Sequence, residues 1–233
     1  MSTLQEIKAI VDQVDPTVLK EGKMGDVAMS ALGQLFTADW HTRLALAGVV
    51  YTMPLGGVSA GGAHDPLTGL ATVDNDKPEV VIAIDTGWLI PIEITVNISV
   101  DDLTAYDQVD DLLFIADRSQ TVPAGEAGNI VTALNNLDGG AAFSGRCYDT
   151  IGTEITNPVT SDVLAYKYWE LTQLSSELGG NASFDKNYHK KFDIPKFLKG
   201  PCSIIGHITC TVTPTYFGSV VFAHLPVGWI TIS

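Results

Sequence analysis

Trp88-Leu89-Ile90-Pro91-Ile92-Glu93-Ile94-Thr95-Val96-Asn97-Ile98-Ser99-Val100 is the stretch on which the fold turns. Ile90, Ile92, Ile94, Val96, Ile98 and Val100 alternate without exception with Pro91, Glu93, Thr95, Asn97 and Ser99. A period of two is the side-chain repeat of an extended strand, and β-branched residues on one side with polar residues on the other suit a strand laid on a core. The expectation is one continuously β-branched face and one polar face. Just upstream, Glu79 to Asp85 reads as a second strand, and Thr86-Gly87 joins the two by a connection of hairpin length.

Downstream the same signals recur in shorter pieces. Leu112 to Ala116, Asn129 to Leu134 and Ala142 to Tyr148 read as strands, separated by turn formers such as Asp138-Gly139-Gly140, Asn157-Pro158 and Gly179-Gly180-Asn181. Val163 to Leu178 fits two patterns. It reads as a strand as far as Leu171, or as a helical stripe of Leu164, Tyr168, Leu171, Leu174 and Leu178 capped by Ser161 or Asp162, and the helix is the preferred reading.

From Gly200 to Ser233 the chain carries no Asp, Glu, Lys or Arg, and it reads as three strands, Ser203 to Thr213, Gly218 to Leu225 and Trp229 to Ile232. Antiparallel strands usually present one face to water. Charge-free strands are therefore expected to be covered on both faces, by another sheet, by N-terminal helices or by a neighbouring chain. The alternative is solvation by hydroxyls alone, with Thr209, Thr211 and Thr213 as a ladder.

The first third differs. Leu4, Ile7, Ile10, Val11 and Val14 recur at helical spacing behind a Ser2 or Thr3 cap, and Asp26 can cap a second helix, Val27 to Phe36. Leu44 to Ala63 lacks formal charge, but Gly48, Pro54, Gly56, Gly57, Gly61 and Gly62 break any membrane helix there. That segment reads as a strand ending near Met53, followed by a glycine-rich loop. No secretory leader follows Met1. The organisation expected is a helical arm over 1–44 and a single β-sandwich over 45–233.

Composition supports a cored protein. The chain has 233 residues, 45% of them hydrophobic and 17% charged, which is too apolar for disorder and too poor in charge for a coiled coil. Thirteen Lys plus Arg against 27 Asp plus Glu leave a net charge of −14, a field that repels phosphate, so direct nucleic-acid binding is not expected. The arm is acidic too, with Lys8, Lys20 and Lys23 against Glu6, Asp12, Asp15, Glu21 and Asp26. Cys147, Cys202 and Cys210 have neither zinc nor disulfide-framework spacing and read as buried thiols.

No residue cluster announces a reaction. Gly57-Val58-Ser59-Ala60-Gly61 has the letters of a nucleophile elbow, but Gly61-Gly62-Ala63-His64-Asp65-Pro66 cannot begin the helix that an elbow needs, so a serine hydrolase at Ser59 is a remote alternative. Asp74/Asp76, Asp101/Asp102 and Asp110/Asp111 lack a full calcium-loop pattern, and the five histidines lack HxH or HExxH spacing, so no metal or other cofactor is expected. His207 and His224 read as hydrogen-bonded core or interface residues. Lys186, Lys190, Lys191, Lys196 and Lys199 form a cationic cluster among Tyr188, His189, Phe192 and Phe197, suited to an acidic neighbour or to anionic lipid headgroups.

A helical arm, about eight strands with one long regular strand, long polar loops and an end inside a strand resemble the single jelly-roll capsid proteins of icosahedral viruses. The resemblance is architectural, spans residues 45 to 233 and rests on no diagnostic motif. It implies an antiparallel β-sandwich of jelly-roll type that is not an enzyme, resides in the virion and assembles with copies of itself and other virion proteins. The missing basic arm sets the chain apart from capsid subunits that bind RNA. It implies a shell facing something other than naked genome, such as an internal lipid membrane. The working residues would be interfacial: Leu4, Ile7, Ile10, Val11 and Val14, the loop at Gly56 and Gly57, the five lysines and the charge-free strands, whose cover would come from neighbouring molecules. A lectin-like sandwich using Trp40, Trp88, Trp169 or Trp229 as stacking platforms is the alternative of a different class.

Overall fold

A computed structural model of the chain describes residues 39–56, 78–100, 107–119, 129–149, 155–156, 158–172, 184–210 and 215–229. A short helix, α1 (Trp40–Leu46), precedes β1 (Val50–Leu55), β2 (Val80–Ile84), β3 (Trp88–Val100) and β4 (Asp107–Asp117). Three short strands follow, β5 (Asn129–Ile130), β6 (Leu134–Asn135) and β7 (Arg146–Asp149). The chain continues through β8 (Thr160–Thr172), β9 (Phe184–Lys191), β10 (Leu198–Lys199), β11 (Cys202–Cys210) and β12 (Thr215–Leu225).

The strands form two antiparallel sheets packed as a sandwich. One runs β10-β3-β12-β1-β6 with β9 also on β3, and the other runs β5-β7-β2-β11-β4-β8. The pairings β1 with β12, β2 with β11, β3 with β9 and β4 with β8 match the first half of the chain to the second in reverse order. Such a chain is one long ribbon folded at its middle. The ribbon then curls so that β12 also pairs with β3 and β11 also pairs with β4, which splits it into two sheets. The antiparallel β-sandwich expected from the sequence is present, with a connectivity compatible with a jelly-roll-like architecture.

Between the sheets lies the main core, where Tyr216, Phe114, Phe222 and Met53 are fully buried together with Ile82, Ile94, Ile98 and Ile204. β2 and β3 sit in different sheets, so the link between them is a crossover and not the hairpin its length suggested. Gly87 makes that crossover possible: its φ is +87°, and a Cβ there would lie 2.3 Å from the Leu225 carbonyl oxygen.

The alternating run in β3 does not present one face. Val221 stands opposite Glu93 but Phe222 stands opposite Pro91, leaving Ile92 as an extra residue in a bulge. Beyond the bulge, Ile94, Val96 and Ile98 point into the main core. Before it, Leu89 does so, while Ile90 and Ile92 join Val49, Val50, Ala223 and Leu225 on the outer face of the sheet. α1 covers this outer cluster through Trp40, Leu44, Ala45 and Ala47. Asp39 caps the helix by accepting from the Thr42 N–H at 2.8 Å, and the Trp40 indole donates to the Asp193 carbonyl at 3.1 Å.

β8 corrects a second expectation. Thr160–Thr172 is a strand along β4 and not the start of a helix. A ladder to β4 satisfies its backbone groups, and Val163, Tyr166, Tyr168 and Trp169 suit a pleated surface better than a helix.

The charge-free region is covered chiefly by the chain itself. β11 lies between β2 and β4, with Ile204 and Ile208 in the main core. Ile205 lies on the opposite face with Val81, Ala83, Ile115, Tyr148 and Ile155. Every residue from Cys202 to Thr209 is buried within the single chain, so no neighbouring molecule is needed to explain their lack of charge. In β12, Ala223 and Leu225 are buried beneath α1, whereas Phe217 is 47% exposed. Trp229 sits in a turn closed by its N–H to the Pro226 carbonyl, and residues 230–233 lie outside the described residues.

Candidate self-association surface

The long edges of the two sheets, β8 and β9, lie on the same side of the sandwich. Trp169 of β8 meets Tyr188 of β9 edge to face, with ring centroids 6.4 Å apart. Nearby, Lys196 forms an ion pair with Asp162 of β8. This side carries Lys186, Lys190, Lys191 and Lys196 of the residues singled out as interfacial.

The five lysines do not form one patch. Register with β3 places Lys186 and Lys190 beside Tyr188 on the core-facing side of the β9 edge, opposite Ile98 and Ile94. Lys190 extends over the Phe192 ring, 5.9 Å from its centroid. Lys191 and His189 face outward opposite Glu93 and Thr95, and His189 lies 3.3 Å from the Glu93 carboxylate. Lys199 stands on β10 opposite Trp88. Charges turned toward the interior at a strand edge discourage pairing with another strand, so β9 is a blunted edge.

Gly56 has a structural duty. It turns the chain after β1 with φ +73°, and a Cβ would lie 2.6 Å from the Tyr216 carbonyl oxygen. Its N–H donates to Asp149 Oδ2 at 2.9 Å, and the Tyr216 hydroxyl donates to Asp149 Oδ1. Asp149 thus ties the end of β7 to the opposite sheet. Leu4, Ile7, Ile10, Val11, Val14, Gly57 and Ser59 lie outside the described residues.

No known family model, curated protein or solved structure matches the chain. Function has to be read from the surface and the packing.

β8 supplies what sequence reasoning missed. Ile115 and Leu113 belong to the outer cluster of their sheet, and opposite them on β8 stand Val163 and Tyr166; Tyr168 follows on the same face. Val163, Tyr166 and Tyr168 are 52%, 57% and 45% exposed, forming an apolar row along the outermost strand of the described sheet. The aromatic and β-branched content of Val163 to Trp169 was the available signal, hidden by leucines that also fit a helical period.

The other candidates are packed. Trp40, Trp88 and Trp229 border the cluster under α1, and Trp169 lies against the main core, so none of the four tryptophans is an open stacking platform. Buried Cys147 and Cys202 are free, and burial pushes each thiol up to about 12; for Cys202 the Asp117 charge adds to the rise while Arg118 opposes it. His207 is fully buried, and His224 bridges the Thr86 carbonyl at 3.0 Å and the Ser144 hydroxyl at 3.3 Å. Among the described residues no three His, Cys, Asp or Glu side chains gather as a metal site, and no helix is long and apolar enough to cross a membrane.

Proposed function

We propose that this protein is a structural virion subunit, a jelly-roll building block that self-associates into an icosahedral shell and leaves genome binding to other components. The supporting observation is the two-sheet antiparallel sandwich closed over its own core: Tyr216, Phe114, Phe222 and Met53 occupy the space between the sheets, while Val163, Tyr166 and Tyr168 are exposed along β8. A sandwich filled by its own side chains and apolar at its rim is suited to binding through its outside. The partners are further copies of the chain and other virion proteins, and the lysine-bearing side offers a contact for an internal lipid membrane. A net charge of −14 argues against direct contact with nucleic acid.

Repeated contacts of roughly 800 Å² per partner suffice for specific assembly, and closure of a shell multiplies weak ones. Size-exclusion chromatography with light scattering tests the reading. Masses that rise above the 24.8 kDa of one chain with concentration, or on adding the other virion proteins, are expected. A monodisperse monomer under all these conditions would overturn it.

A further inference from the structure

We infer that the apolar surface of Ile194 and Phe197, bordered by Trp40 and Trp88, is the docking site for residues 27–36 of the same chain. Docked there, that segment completes the cover of the outer cluster that α1 begins.

The surface is built by the link between β9 and β10, residues 192–197. At one end it lies along α1: the Trp40 indole donates to the Asp193 carbonyl, and Nε2 of His41 lies 3.2 Å from the Phe192 carbonyl oxygen. At the other end the Phe197 ring meets Trp88 edge to face, with centroids 6.4 Å apart. Between these anchors Ile194 is 81% exposed, and Phe197 is 45% exposed. The one lysine of the link, Lys196, is held by Asp162 on the other sheet. α1 gives the cluster beneath it only a partial cover, since none of its seven residues is buried. Large apolar side chains grouped beside a half-covered cluster mark a surface that binds something.

The course of the chain names the occupant. Residue 38 joins Asp39, whose side chain caps α1, so the preceding segment meets the described residues beside Asp193 and Ile194. Three residues separate Phe36 from Asp39 and span at most about 11 Å, which keeps the near end of the segment at this surface. Residues 27–38 carry no Asp, Glu, Lys or Arg, and Ala28, Ala31, Leu32 and Leu35 recur at the three- and four-residue steps of one apolar stripe. A stripe tethered by so short a link has an effective concentration on the order of millimolar, well above that of a second copy in a micromolar solution. The segment from the same chain therefore wins the surface.

The test is hydrogen exchange on the full chain, comparing the wild type with Ile194→Asp at low and high protein concentration. Ile194 is exposed, so the variant is expected to keep the sandwich, judged in the same experiment by unchanged protection of the β11 amides. The expected result is that the amides of residues 27–36 exchange about tenfold or more faster in Ile194→Asp than in the wild type, by the same ratio at both concentrations. A photoreactive benzoylphenylalanine in place of Phe197 is expected to cross-link to residues 27–36 within one chain. Equal exchange of that segment in both proteins would overturn the docking site. Protection that appears only as concentration rises, or cross-links found only between chains, would also overturn it and assign the surface to a second copy.

Discussion

At the scale of the residue, the buried polar groups act as ties between strands. Asp117 is fully buried yet accepts from the Ser119 N–H and hydroxyl, the Val159 N–H and the Ser203 hydroxyl, so one carboxylate joins β4, the approach to β8 and β11. Asp149 does the same between the sheets through Gly56 and Tyr216. Tyr216→Phe leaves the Asp149 carboxylate short of a donor in a dry site, and the expected loss is about 1–3 kcal/mol in urea unfolding. Cys147 and Cys202, with thiols held near 12, stay protonated through neutral pH. A thiol reagent at pH 8 is expected to leave both unmodified in the native protein and to label both after unfolding.

At the scale of the element, α1 is held by its cap and by the patch it covers. Hydrogen bonds from the Thr42 side chain and N–H lower the Asp39 pKa, while its slight desolvation works the other way. A depressed carboxyl stabilises the folded form above its unfolded pKa, and that contribution fades as pH falls through the lowered folded value. Tryptophan fluorescence around α1 is therefore expected to shift in acid below the ordinary carboxylate range, and Asp39→Ala to remove that step. The bulge at Ile92 makes a separate prediction. Ile90 and Leu44 belong to the cluster under α1 while Ile204 belongs to the main core. A double-mutant cycle should show coupling of about 0.5–3 kcal/mol for Ile90→Ala with Leu44→Ala, and near additivity for Ile90→Ala with Ile204→Ala.

These elements also show how far the sequence could be read. The alternation in Trp88–Val100 revealed the strand, but a bulge changes which face each residue serves without disturbing the letters, so the second cluster was invisible. The charge-free run corresponds to burial over Cys202–Thr209 and at alternate positions of β12, while Phe217 and Val227 are exposed. What it could not say was who provides the cover, because β2 and β4, the neighbours of β11, are distant in the chain. β9 went unread because Phe184–Lys191 holds three lysines with Asp185, Asn187 and His189, as an edge strand can. The β8 row was hidden for the opposite reason, a leucine spacing shared by helix and strand.

At the scale of the whole molecule, the ribbon closes through β12, the last strand among the described residues. β12 lies between β1 and β3, so removing residues 215–233 takes the centre from one sheet, and the truncated chain is expected to be soluble only as an unfolded or aggregated species, judged by circular dichroism and light scattering. Fourteen net negative charges on each copy oppose association at low ionic strength. Raising salt from about 0.01 to 0.15 M shortens the screening length from about 30 to 8 Å and is expected to strengthen assembly, the reverse of nucleic-acid binding. The most direct measurement is quantitative mass spectrometry of purified virus particles from the source of this chain. The account predicts the polypeptide as a stoichiometric shell component present in many copies per particle. Its absence from particles that carry their full protein complement would contradict it.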